Sequence, residues 1–361
     1  MRSTVTKTST KTSGLRIANL GSVTNPNSIH GIYPYRGKIS AIDAAGIIKQ
    51  LQPATLLDPF CGSGTIVYEA ARNNFPAIGI DNNPLAIWIA KGKMGSLKLD
   101  SEYVVEALTI VEQARKLKRT REISPLVKKA FHTETAYEAF SLFNYFDEMS
   151  DYLRACLLGA TALTARACNG YMWTSSSVGK DIQPKDYINF YDKFLHKVNK
   201  HAYPSEQRVD YQIHSYDSRK ITDLLPPKSV KYVFTSPPYF DSLDYTAYYG
   251  QIVYDILGHD RTEVKKGLIQ TASAYEEDMK KVLDELVKVT TDDALIIFVV
   301  GDKKIKDKII NGGEFFSNLL HHKPNTVIER GYTGSSSQIF DKLNKTERKE
   351  QIVIWDKSTW C

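Results

Sequence analysis

The run Leu57-Asp-Pro-Phe-Cys-Gly-Ser-Gly-Thr65 decides the fold of this chain. A short apolar stretch, Ala54 to Leu57, precedes it, and a helix-patterned stretch from Thr65 to Asn73 follows. A second apolar stretch, Ala77 to Ile80, ends on Asp81. Strand, glycine turn, helix and strand with a terminal acid make a βαβ unit of a doubly wound sheet. Glycines after the first strand let a ligand approach the backbone closely. A carboxylate ending the second strand is placed to accept hydrogen bonds from ribose hydroxyls. Only Gly62 and Gly64 are present, so the dinucleotide spacing is absent and a nucleoside lacking a pyrophosphate fits better. The other reading of these residues is a glycine turn of purely structural use.

Outward from this unit, strands are expected at Val209–Tyr216 (followed by Asp217), Val230–Thr235, Ala294–Val300, Asn325–Arg330 and Gln351–Trp355. The last two are expected to form an antiparallel pair at the sheet edge. Between these α/β segments the periodicity turns helical: Ser101–Lys118, Thr133–Met149, Asp151–Ala167 and Pro184–His201. The division that follows is a flexible basic arm over 1–25, a catalytic domain over 26–96 and 209–361, and a helical insertion over 97–208.

Composition narrows the function classes. Of 361 residues, 42% are apolar and 24% charged, as in soluble globular proteins. The longest apolar run, Ala294 to Val300, is far too short to span a bilayer, and no secretory leader is expected. The four cysteines have no paired spacing and the histidines lack partners at ligand spacing, so neither a disulfide framework nor a metal site is expected. A reducing, cytoplasmic setting is the expectation. The net charge of +6 favours a polyanionic partner, and it is unevenly placed. Residues 1–42 carry +6 and 91–208 carry +4, whereas 43–90 and 209–361 carry −2 each.

A second motif, Thr235-Ser-Pro-Pro-Tyr239, closes the strand ending at Thr235. Its two prolines remove two N–H donors and fix the backbone angles, so the local carbonyls are rigid. Such carbonyls can grip a planar amino group; a strand-ending Pro-Pro turn is the plainer alternative.

The two motifs in this order resemble the S-adenosylmethionine-dependent DNA amino-methyltransferases, which methylate the exocyclic nitrogen of cytosine or adenine. The resemblance covers roughly 26–96 and 209–361. It implies a doubly wound, Rossmann-like sheet, mostly parallel with an antiparallel edge strand, plus the helical insertion. It also implies S-adenosylmethionine as cofactor, held by Asp58, Pro59, Phe60, Cys61, Gly62, Gly64, Thr65, Asp81 and Asn82. Tyr33 in His30–Pro34 matches the segment lining the methionine end, and Asp217 matches the acid that holds the adenine amino group. The catalytic residues would be Ser236, Pro237, Pro238 and Tyr239, with Tyr239 stacking on a flipped base.

Serine at 236 is more typical of cytosine-N4 than of adenine-N6 enzymes in this family. Cytosine-C5 chemistry is set aside because none of the cysteines follows a proline. The implied partners are double-stranded DNA and a restriction endonuclease acting separately. An RNA amino-methyltransferase and a non-catalytic binding protein are the competing readings.

Outside the motifs, Arg115, Lys116, Lys118, Arg119 and Arg121 form a basic cluster suited to phosphate contacts, or simply a solvated helix face. Trp173, in the polar loop 169–180, could reach base edges. Tyr245 belongs to an aromatic group with Phe240, Tyr248 and Tyr249 that could wall a base pocket or pack a helix onto the sheet.

Overall fold

The apolar runs of the sequence become the central strands of one sheet. The computed structural model describes residues 28–35, 39–119, 122–168, 186–205, 210–238, 244–247, 249–271, 273–305, 308–333 and 347–360. In chain order the first half holds α1 (Ala41–Ile48), β1 (Leu56–Asp58), α2 (Thr65–Ala71), β2 (Ala77–Asp81), α3 (Pro84–Gly95), α4 (Tyr103–Lys116), α5 (Pro125–Ala130), α6 (Thr133–Phe143), α7 (Asp151–Cys168) and α8 (Phe190–Lys200). The second half holds β3 (Tyr211–Ser215), β4 (Val230–Thr235), α9 (Tyr249–Leu257), α10 (Arg261–Gly267), α11 (Tyr275–Val289) and β5 (Thr290–Gly301). It ends with β6 (Lys303–Ile305), β7 (Lys308–Ile310), α12 (Gly312–Leu320), β8 (Thr326–Thr333) and β9 (Glu347–Asp356).

Seven strands form a sheet of order β3-β2-β1-β4-β5-β9-β8, parallel from β3 to β5 and antiparallel over β5, β9 and β8. This is the doubly wound, Rossmann-like α/β fold, and its antiparallel edge is the one expected from the last two apolar runs. Alternate side chains feed opposite faces. Leu295, Ile297 and Val299 pack in one core, and Ile296, Phe298 and Val300 in the other. The chain runs from β1 outward to β3, then returns to β4 on the other side of β1. That reversal opens a crevice at the carboxyl ends of β1 and β4, the usual ligand site of such sheets. The register places Leu57 beside both Ile78 and Val233, so Asp58, Asp81 and Thr235 end their strands at one edge.

Several element boundaries differ from the sequence reading. The expected helix Thr133–Met149 ends at Phe143. The helix α5 escaped notice, although Ser124 caps it (its hydroxyl accepts from the Val127 N–H at 3.2 Å) and Pro125 opens it. The strand β5 begins at Thr290 because backbone pairing reaches into polar residues that interrupt the apolar pattern. The antiparallel β6–β7 hairpin lies outside the elements expected from the sequence.

Helices α4–α8 share one hydrophobic core with the sheet. Gly92 on α3 lets α7 approach so closely that a Cβ there would lie 2.1 Å from the Ala155 Cβ. On α8, the buried Lys197 ammonium donates to the carbonyls of Gly31 (3.1 Å) and Ile32 (2.9 Å), tying the N-terminal segment to the helical layer. Among the described residues no helix is long and apolar enough to cross a membrane, and no group of His, Cys, Asp or Glu is placed to hold a metal ion.

Candidate active site

The turn after β1 is built by two residues in the left-handed region, Gly62 (φ +48°) and Gly64 (φ +72°). At Gly64 a Cβ would also lie 2.9 Å from the Ala90 Cβ of α3, so side-chain bulk is excluded there twice over. The turn is closed by hydrogen bonds from the Cys61 N–H to the Ile80 carbonyl (2.9 Å) and from the Gly64 N–H to the Cys61 carbonyl (2.7 Å).

Two acids anchor this edge. Asp81 accepts from the Gly62 N–H on one oxygen and the Asn83 N–H on the other, each at 2.9 Å. Asp58 accepts from the Phe60 N–H (3.1 Å) and from the Thr235 hydroxyl (2.6 Å). The second bond joins the glycine turn to the Ser-Pro-Pro motif across β1 and β4. Burial pushes the Asp58 carboxyl up to about 7, against the lowering pull of the Thr235 and Phe60 hydrogen bonds. Burial also raises Asp81, to about 6, although three backbone N–H groups favour its charged form.

These shifts have a sign that can be measured. An unfolded aspartate titrates near about 3.9, so between about pH 4 and 7 the folded chain holds a proton on Asp58 that the unfolded chain has released. The contribution of Asp58 to stability therefore declines as pH rises through that window. Asp58→Asn should flatten the decline, as thermal melts at pH 5 and 7.5 would show; an unchanged slope would contradict the shift.

The crevice opens to solvent, and together with its mouth it makes up about 800 Å³ of atom-free space. From the turn and β2 it is lined by Asp58, Phe60, Cys61, Gly62, Thr65, Asp81 and Asn82. From further along the chain come Asp217, Ser236, Pro238 and Tyr245. Both motifs thus face one cavity. Pro59 and Gly64 shape it without lining it: the Pro59 carbonyl accepts from the Ser218 hydroxyl. Tyr33 was expected at the cavity; its ring instead packs in the core with Ile29 and Ile32. Tyr35, two residues on, lines the cavity in its place, and Asn83 donates to its hydroxyl at 3.5 Å.

Asp217 lines the cavity, but its carboxylate is not open-handed. The Arg219 guanidinium, reaching back over a single turn, donates to both oxygens (Nε to Oδ1 2.9 Å, Nη2 to Oδ2 2.7 Å). Burial would raise this carboxyl, yet the Arg219 and backbone hydrogen bonds hold it below the usual range.

Sequence reasoning missed Ser63, Ile66, Asn83, Leu268 and Ile269 as lining residues. For Asn83 a signal existed: it precedes Pro84, and its side chain caps α3 by accepting from the Leu85 N–H. Leu268 and Ile269 carry no local signal. Tyr239, Arg121 and Trp173 lie outside the described residues. In the basic cluster, Arg115 sits over the Tyr191 ring (4.8 Å), Lys116 pairs with Glu112 (2.7 Å) and Arg119 with Glu134 (2.6 Å), while Lys118 is exposed. Exposed pairs of this kind contribute little to stability.

This chain is similar to a type II methyltransferase. The relative, M.MjaII of Methanocaldococcus jannaschii, is 22% identical over an alignment covering 76% of this chain and 72% of that protein. No family model matches the chain. Among solved structures, an rRNA methyltransferase, aviRa of Streptomyces viridochromogenes, aligns over 90% of this chain and 88% of its own, with 12% identity and a TM-score of 0.34. The sequence likeness, together with the sheet order, supports methyltransferase activity.

Proposed function

We propose that the protein transfers a methyl group from S-adenosylmethionine to the exocyclic amino group of a base flipped out of duplex DNA, cytosine N4 ahead of adenine N6. The observation that carries this reading is the Thr235–Asp58 hydrogen bond, which sets the Ser-Pro-Pro motif and the glycine turn against one cavity. The residues suit the cofactor. Asp81 offers acceptors for ribose hydroxyls, Gly62 keeps the turn free of side-chain bulk, and Tyr35 and Ile39 add aromatic and apolar wall. When bound, the cofactor supplies an electrophilic methyl carried by a sulfonium.

The chain's own part is to ready the amino nitrogen. That nitrogen is flat because its lone pair is delocalised into the ring. Acceptors at the Ser236 hydroxyl and the Pro237 carbonyl would engage its two N–H groups and turn the lone pair toward the methyl group. The Pro238 carbonyl already accepts from the Tyr275 hydroxyl (2.6 Å), which stiffens the motif. Fixed placement and preorganised dipoles then supply much of the acceleration, with no covalent enzyme intermediate. Serine at 236 supports cytosine N4 through the family resemblance. The helical layer over 97–208 and the arm over 1–25 carry the positive charge and are the expected DNA-facing parts. The type II relative supports a DNA substrate; a separate endonuclease as companion rests on the family resemblance alone.

The test is to incubate the protein with cofactor and either duplex DNA or structured RNA, digest to nucleosides and weigh them. N4-methylcytosine from DNA is the expected product. N6-methyladenine would move the target base, methylation confined to RNA would overturn the DNA assignment, and no methylated base would overturn the reading altogether.

A further inference from the structure

Tyr245 reaches the cavity from between two residues that a single arginine holds. Asp244 accepts from the Thr246 N–H (3.0 Å) and hydroxyl (2.6 Å) on one oxygen, and from Arg261 Nη2 (2.5 Å) and Lys265 Nζ (3.1 Å) on the other. Arg261 Nε donates to the Thr246 hydroxyl at 2.9 Å, and the Thr246 side chain is fully buried. The planar guanidinium fork therefore grips both neighbours of Tyr245 at once.

Arg261 opens α10, whose start is fixed by the Asp260 carboxylate accepting from the Thr262 N–H (2.7 Å). The same seven-residue helix ends at another part of the cavity wall. Its Gly267 carbonyl accepts from the Asn82 side-chain amide (2.6 Å), and the next two residues, Leu268 and Ile269, form cavity wall. One short helix thus holds the Tyr245 wall at its start and the wall beside Asp81 and Asn82 at its end.

We propose that Arg261 is a positioning residue for the target base, acting through Tyr245, which it fixes by clamping Asp244 and Thr246. This rests on the reading of the cavity as a base-methylating site. Tyr245 shares the cavity with Ser236 and Pro238, so its ring orientation sets where a flat base comes to rest beside the motif. Losing the clamp leaves the ring present but unaimed, and a misplaced reacting group loses rate steeply. Lysine at 261 keeps the charge for Asp244 but cannot span to Thr246 as well, so it is a partial substitute.

The experiment is a double-mutant cycle in the full-length chain, combining Arg261→Met with Tyr245→Ala. It reads kcat and KM for DNA at saturating cofactor, with S-adenosylhomocysteine titrated by calorimetry in parallel. Arg261→Met should lower kcat by roughly 10- to 100-fold and leave the S-adenosylhomocysteine affinity within about twofold. In the Tyr245→Ala background the same substitution should cost less than about threefold, because the residue it aims is gone. Arg261→Lys should recover part of the rate, and it keeps the measurement open if the methionine variant folds poorly.

Full additivity of the two substitutions overturns the proposal. So does a loss of S-adenosylhomocysteine binding that matches the loss of rate. A wild-type chain that binds S-adenosylhomocysteine yet methylates no nucleic acid overturns the parent reading, and this one with it.

Discussion

Replacing Ser236 with alanine is expected to slow methyl transfer by at least about 100-fold, with S-adenosylhomocysteine affinity held within about twofold. The substitution removes one oxygen and adds no volume, so the cavity keeps its shape. Neighbouring contacts survive it: the Thr235 hydroxyl still donates to Asp58, and the Tyr275 hydroxyl still donates to the Pro238 carbonyl. What is lost is an acceptor that would engage the amino group and help to bend it out of plane. The effect belongs in kcat, because that interaction strengthens as the nitrogen leaves planarity. Single-turnover transfer to a DNA substrate would show it. A variant retaining wild-type rate would show that the Pro-Pro turn serves only to end β4.

Asp81→Ala is expected to weaken S-adenosylhomocysteine binding on the order of 100-fold or more. Two losses combine. The carboxylate supplies acceptors toward the cavity, and hydrogen bonds to charged groups contribute about 1.5–3 kcal/mol each. It also holds the Gly62 and Asn83 N–H groups, so its removal loosens the glycine turn and the entry to α3 together. Asparagine is not a rescue. Each carboxylate oxygen faces a backbone N–H, and the amide nitrogen of asparagine would turn a donor toward one of them. Both variants should therefore bind weakly in calorimetry. An alanine variant with near-wild-type affinity would place the ribose elsewhere.

The core of the candidate site was legible because its chemistry is local. Gly62 and Gly64 sit within a nine-residue run, and Asp81 follows an apolar run. Period and punctuation alone mark a strand ending in a turn or an acid. Those residues meet in the cavity because β1 lies between β2 and β4. That Tyr35 rather than the expected Tyr33 lines the cavity has an equally local cause. Both are aromatic residues in one irregular segment, and no repeat states which ring turns inward. The core side was settled by packing against Ile29 and Ile32, and by the Lys197 ammonium holding the carbonyls of Gly31 and Ile32 from α8.

The order of strand, glycine turn, helix and acid was enough to specify a doubly wound sheet and the end of it where the cavity lies, since backbone angles and side-chain period act between near neighbours. The pairing of Asp217 with Arg219, the joining of Asp58 to Thr235, and the use of α10 to aim Tyr245 and supply Leu268 and Ile269 emerged only on folding. Those contacts depend on which groups are buried together and which donors find acceptors there. Both are properties of packing, and residues 177 positions apart in the chain, as Asp58 and Thr235 are, have no local pattern through which to announce their meeting.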